Sequence, residues 1–319
     1  MTLRKLAKKA GVAVDTVRKA LRDDPTVRWY LKDRVLKAAE QMDYYPNLIA
    51  KALKAKRLNV VPLSVIELDN PYFGSLAYQI SKRLADNNLD PVLCLNVEHL
   101  VKICHTLTPC GSILGYGYSA EVARALSRRQ KVVCIGTDYT SVPGAGLVSL
   151  DFTNAYGSIA KLLKRMGRKH VAIYSHSMSG QGSGRRRSSK MGAVYNALNL
   201  VGLNPVKNGS LDYFSDYLEV SAFLGAHPRG IDAVVCENDQ IAAMLCGDLA
   251  LHGIRVPDDV LIVGSDANHT LPGTWSIKVD TGYMAMEAVG LLLRMLGGEK
   301  RPEPIIYLPT LVNAAGRPV

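Results

Sequence analysis

The 319-residue chain lacks several things, and each lack removes a class of function. No apolar run reaches the roughly 18 residues needed to span a bilayer, so no membrane partner is expected. The opening Met1-Thr2-Leu3-Arg4-Lys5 has neither the long apolar stretch nor the cleavage site of a secretory signal, and a cytoplasmic protein is expected. The six cysteines (Cys94, Cys104, Cys110, Cys134, Cys236 and Cys246) form no CxxC pair and mostly fall in apolar strand or helix patterns. They read as buried free thiols in a reducing cytosol. HExxH, GxSxG and GxxxxGK[ST] are all missing, so no catalytic residue, metal or cofactor is assigned on their account.

What the chain does have is positive charge, concentrated at one end. Met1 to Leu58 holds 15 Lys and Arg against 6 Asp and Glu, a net of +9, whereas the whole chain is +11. The remaining residues are nearly neutral, as expected for a nucleic-acid-binding end joined to a different kind of body. Within the basic end, Leu3, Leu6, Ala7 and Ala10 share one face of a helical pattern, and Val14, Val17 and Leu21 share one face of the next. Gly11 lies between them, where a tight turn needs small size or positive φ. Two short helices about such a turn read as a helix-turn-helix. Thr2 can cap the first helix, Val14 to Arg22 would be the recognition helix, and Asp23-Asp24-Pro25 stops it. Leu31 to Met42 reads as a third helix with Leu31, Val35, Leu36 and Ala39 facing in. Pro46 breaks the pattern, and Asn47 can cap a short basic helix to Ala55 that is marginal on its own.

From Asn59 apolar runs alternate with helical patterns, which predicts βαβ units and parallel sheets. Strands are expected at Val60–Ile66, Pro91–Leu95, Gly111–Gly115, Val132–Gly136 and Gly146–Leu150, with helices near Phe73–Asn87, Ser119–Arg128 and Asn154–Met166. A second series runs through strand His170–Tyr174, helix Lys190–Leu200, strand Ala233–Cys236, helix Gln240–His252 and strand Leu261–Gly264. Crossovers between the two units are expected near Gly167–Lys169 and Ile277–Asp280. The Gly/Ser/Arg-rich stretch from Ser179 to Ser189 reads as a surface loop.

The order of Thr2-Leu3, Ala7, Ala10-Gly11-Val12, Thr16-Val17, Ala20-Leu21, Val35, Ala38-Ala39, Tyr45-Pro46-Asn47, Ala50 and Leu53 resembles the headpiece of the LacI/GalR family of bacterial transcription regulators. The resemblance extends over essentially the whole chain, most strongly in Thr2–Leu53 and Val234–Asp266. It implies an α/β fold: an N-terminal helix-turn-helix headpiece over residues 1–46, a hinge helix and linker over 47–58, and a core over 59–319. That core would comprise two doubly wound subdomains like those of periplasmic binding proteins. The N-subdomain is placed at about 59–167 plus 279–300, and the C-subdomain at about 168–278 plus a C-terminal strand. The implied function is a DNA-binding regulator, a repressor by family habit, acting as a homodimer on double-stranded operator DNA. A small molecule, a sugar or related metabolite, would bind between the subdomains and control operator affinity.

The same resemblance assigns sites. Val14, Asp15 and Lys19 take the base-reading positions, with Thr16 and Arg18 beside them. Thr2, Arg22, Asn47 and Ala50 are further DNA-binding candidates, and Leu53 would wedge into the minor groove at the central step. A serine usual at Ala13 and another at Arg18 are absent, which removes a hydroxyl cap or phosphate contact. Asn70, Tyr72, Phe73 and Asp138 would line the cleft from the first subdomain; Tyr213, Asn238 and Asp266 would line it from the second, at strand carboxyl ends where open α/β sheets bind ligands. Counting back from Gly192 places Ser189 where the family carries a ligand-clamping arginine.

A rival comes from Gly115-Tyr116-Gly117-Tyr118-Ser119-Ala120, which follows a strand, opens a helix and satisfies GxGxxA, with Asp138 after the next strand. This is the form of a dinucleotide-binding fingerprint and would suit an NAD(H)-binding redox sensor or enzyme. No catalytic acid or base accompanies it. A third reading, a sugar-binding module alone, is opposed by the basic headpiece.

Overall fold

A computed structural model of the chain describes residues 2–21, 23–44, 58–136, 142–174, 189–203, 205, 230–267, 271–300, 302–313, 315, 317 and 318. The chain forms two compact units, Met1–Leu58 and Asn59–Val319.

The first unit holds α1 (Leu3–Ala10), α2 (Val14–Ala20) and α3 (Trp29–Gln41). The Thr2 side chain accepts the Lys5 amide at 3.4 Å and caps α1, as its position predicts. Gly11 takes φ +61°, and its amide donates to Ala7 and Lys8. Leu6, Ala7 and Ala10 meet Val17, Ala20, Val27, Val35, Ala38 and Ala39 in one small core. Leu36 corrects the sequence reading: it is 53% exposed, and Ala38 faces in instead. The inward stripe of α3 runs Val35, Ala38, Ala39, at the three- and four-residue spacing of one helical face, and Leu36 lies about 100° round from it. The recognition helix ends at Ala20, short of the expected Arg22. Arg22, Asn47, Ala50 and Leu53 lie outside the described residues.

The second unit is built on two sheets. The strands are β1 (Val60–Ser64), β2 (Asp90–Cys94), β3 (Gly111–Gly115), β4 (Lys131–Gly136), β5 (Ala145–Leu150), β6 (Val171–Tyr174), β7 (Ala233–Cys236), β8 (Leu261–Asp266), β9 (Trp275–Lys278), β10 (Ile305–Tyr307) and β11 (Thr310–Asn313). The first sheet has the order β10-β5-β4-β3-β1-β2, parallel throughout. The second has the order β11-β9-β8-β7-β6, parallel except where β11 pairs with β9. Both sheets are covered on both faces, which explains the nearly unbroken apolar runs. In β7, Ala233 and Val235 pack into one cluster while Val234 and Cys236 pack into another; Val133 and Cys134 of β4 divide the same way.

The helices are α4 (Pro71–Asp86), α5 (Val97–Leu107), α6 (Ala120–Ser127), α7 (Thr153–Arg165), α8 (Ser189–Leu200), α9 (Asp239–Leu251) and α10 (Thr281–Leu296). The chain crosses between the sheets three times. The first crossing corrects the expected boundary: it falls at Asp151–Phe152, before α7, and not near Gly167. Helix α7 packs on α8 and β11 of the second half. Its buried face (Ala155, Tyr156, Ile159, Ala160, Leu163) is apolar in a way that suits either sheet, so the sequence alone did not say which one it covers. The second crossing follows β9 and sends α10 back against α4, β4 and β5. Gly146 permits this close seat, since a Cβ there would stand 2.7 Å from Leu291. The third follows β10, an unanticipated strand that joins the first sheet beyond residue 300, and β11 then returns to the second.

Candidate nucleic-acid interface and ligand cleft

In the first unit, Asp15 and Lys19 are exposed on α2, and Val14, Thr16 and Arg18 are half-buried. Ala13 stands at the N-cap with no side-chain bond, so the missing hydroxyl leaves α2 uncapped. Asp15 in the first turn compensates in part, because a carboxylate there faces the positive end of the helix. Arg18 reaches Asp15 at 3.7 Å, and both side chains keep substantial exposure. Two candidate DNA-contacting groups thus lie side by side in an exposed, solvent-screened pair. The turn is braced from behind, where the Arg34 guanidinium donates to the Gly11 carbonyl at 3.1 Å. Thr2 is exposed at the start of α1.

In the second unit, the first sheet runs 2-1-3-4-5 with β10 added at its edge, so β1 and β3 flank the point where strand order reverses, the usual ligand crevice. Asn70 caps α4, its Oδ1 accepting the Tyr72 amide at 3.0 Å. Tyr72 is buried, and its hydroxyl pairs with that of Tyr116 at 2.6 Å. Phe73 stacks edge-on against both rings, at centroid distances of 5.2 and 5.1 Å. Tyr116 was visible beforehand only as the spacer of GxGxxA. A Cβ on Gly115 would sit 2.7 Å from the Ser64 carbonyl of β1, so strand packing accounts for that glycine without a dinucleotide.

On the second sheet, Asn238 caps α9, accepting the Ile241 amide at 2.9 Å. The next residue, Asp239, is buried and accepts from Ser276 Oγ at 2.6 Å. Asp266 ends β8, buried, with φ +95°, a backbone conformation that costs about 1–3 kcal/mol and is retained where the surroundings impose it. Lys190, in the first turn of α8, donates to the Glu237 carbonyl at 2.6 Å and lies 3.4 Å from Asp266 Oδ1. Its ammonium also stands over the Phe152 ring, 5.2 Å from the centroid. Burial pushes the Asp266 carboxyl above its ordinary value, and Lys190 only partly opposes this. Burial raises the Tyr72 and Tyr116 phenols too, and the Asp266 carboxylate adds to both shifts. The phenols and aromatic cluster of the first sheet thus lie within electrostatic reach of the ammonium–carboxylate pair of the second. Such a site offers donors, acceptors and ring faces to a polyhydroxylated molecule.

Lys190 and Phe152 were missed in the sequence. A signal did exist for Lys190, the one cation at the start of α8 next to Ser189. Ser189 opens α8, while Asp138 and Tyr213 lie outside the described residues. All six cysteines are free, five of them buried; burial raises Cys94 to about 11 and Cys134 to about 12, so these thiols are poor nucleophiles. Among the described residues no His, Cys, Asp and Glu cluster could hold a metal, and no helix is long and apolar enough to cross a membrane.

Residues 2–47 match the family described as bacterial regulatory proteins, lacI family, and residues 160–314 match the periplasmic binding protein-like domain. The HTH-type transcriptional regulator AscG of Escherichia coli (strain K12) is 26% identical over 330 residues, covering 98% of this chain and 97% of that protein. The fold is similar to the lac repressor dimer bound to operator and the anti-inducer ONPF, with TM-score 0.77, 18% identity and 98% of each chain covered. It is also similar to a transcriptional regulator CelR–cellobiose complex, with TM-score 0.64, 20% identity and 98% of each chain covered.

Proposed function

We propose that the chain is a DNA-binding transcription regulator of the lacI family, a reading supported by the match of residues 2–47 to that family and by the likeness to AscG over 98% of the chain. It is a cytoplasmic repressor, not an enzyme, with a headpiece over residues 1–46, a hinge over 47–58 and a core over 59–319. As a homodimer it seats two headpieces on a two-fold operator. Asp15 and Lys19 read base edges with Val14, Thr16 and Arg18 hold the flanking phosphates, and Leu53 enters the central step. A sugar or similar polyol bound between Tyr72–Tyr116 and Lys190–Asp266 shifts the relative placement of the two halves, and with it the cost of docking both headpieces.

The observation that carries this reading is the exposed, net-positive outer face of α2 on a unit of net charge +9. Selection of bound duplexes from a random library by the full chain, at stated near-physiological salt, tests it. An enriched palindrome is expected. Failure to enrich any sequence, both alone and with a metabolite pool added, overturns it.

A further inference from the structure

Trp29 and Tyr30, at the start of α3, are conspicuously uncovered: the indole is 78% exposed and the phenol ring 44%. Their rings pack edge to face with centroids 6.2 Å apart. Arg28, immediately before them, donates from its guanidinium to the Tyr30 hydroxyl at 3.4 Å. Lys32 fixes where this patch stands: its ammonium bonds the Asp23 carbonyl at 3.2 Å and carboxylate at 2.7 Å. Asp23 lies just past the C-terminal end of α2, so the aromatic pair is held beside that end. A helix of seven residues spans only about 10 Å, and a duplex that receives it in a groove presents its sugar–phosphate edge just beyond it.

We propose that Arg28, Trp29 and Tyr30 form a second DNA contact, which grips the sugar–phosphate edge flanking the groove that α2 enters. Trp29 lies against the apolar deoxyribose faces and Arg28 pairs a phosphate. Charge selects this occupant, since the patch begins with a cation and belongs to a unit of net charge +9. The contact reads no base; it fixes the register of α2 and adds affinity to every sequence alike. The inference rests on the headpiece reading above.

The test uses the full chain and a fluorescein-labelled 24-base-pair duplex of random sequence, followed by anisotropy over a series of salt concentrations. Trp29→Ala is expected to weaken binding by at least about fivefold, and Trp29→Phe by less. Arg28→Gln should lower the salt slope by about 1. Quenching of intrinsic fluorescence by the duplex should vanish in Trp29→Phe. If the unsubstituted chain binds but Trp29→Ala binds within twofold of it, with circular dichroism unchanged, the inference is wrong and the headpiece reading stands. If Trp29→Ala instead changes the sedimentation of the free chain, a second copy covers the patch and the inference is wrong. If the unsubstituted chain binds no duplex at all, both fail together.

Discussion

Leu6 in the headpiece and Val263 in the core are both fully buried, yet they are buried by very different means. Leu6 is enclosed by helices of 8, 7 and 13 residues, whose core of nine small or medium side chains includes five alanines. Val263 lies in β8 between two parallel neighbours, β7 and β9, in a sheet packed on both faces. A unit as small as the headpiece buries a low fraction of its surface and is correspondingly marginal. It also concentrates like charge, which repels itself in the absence of DNA. The core has the burial and little net charge. DNA reading is thus placed on the part that is least stable alone and gains most from a polyanionic partner.

The sharpest way to break this comparison is Leu6→Ala. Deleting a fully buried leucine costs about 3 kcal/mol, enough to unfold the headpiece. Calorimetry should show the core transition unmoved while duplex binding is lost; a lowered core transition would contradict the independence of the two regions.

Lys190→Met is the corresponding test of the core. It strands the Asp266 carboxylate in a buried site and should destabilise the core by about 3 kcal/mol with the headpiece unaffected. The pH dependence has a definite sign. Burial raises Asp266 above its ordinary 3.8, so its contribution is present at low pH and is lost as pH rises from 3.8 through the raised value. The melting temperature of the core in Lys190→Met should therefore fall more steeply above that pH than in the unsubstituted chain. Parallel profiles would remove Lys190 as the partner of Asp266.

Ala13→Ser should act the other way on the headpiece. A hydroxyl at the empty N-cap of α2 is worth about 1 kcal/mol, read as a higher headpiece melting temperature. The smallest effect belongs to Asp15→Ala. It removes a negative charge from the DNA-facing helix and frees Arg18, so non-specific affinity should rise a few-fold while sequence preference broadens. Unchanged preference in duplex selection would dismiss Asp15 as a base reader.

Much of this was legible in the chain because local chemistry determined it. Thr2 and Gly11 announce helix ends, and the doubly covered strands read as apolar runs. The failures involved choices made at a distance. Helix α7 carries an apolar face that suits either sheet, and Leu36 was misassigned because neighbouring positions on a short helix differ only by rotation. The strands β9, β10 and β11 are three or four residues long, too short for a pattern. In the cleft, Tyr72 and Asp266 could be named from their places after strands. Tyr116 could not, because its phenol partner is 44 residues away, and Lys190, though marked as the cation beside Ser189, has its carboxylate partner 76 residues away.

The three crossings have a consequence for how the molecule is made. Strands β1 to β5 leave the ribosome first, but the helix that seals one face of β4 and β5 is α10, and it is not synthesised until β6 to β9 of the second sheet have followed. At about 5–20 residues per second, that delay is on the order of ten seconds. For that time Val133, Ile135 and Val148, all fully buried in the finished fold, lack their cover and remain open to aggregation. The nascent first half thus depends on whatever shields apolar surface during translation, and slowing synthesis between residues 150 and 281 lengthens its exposure.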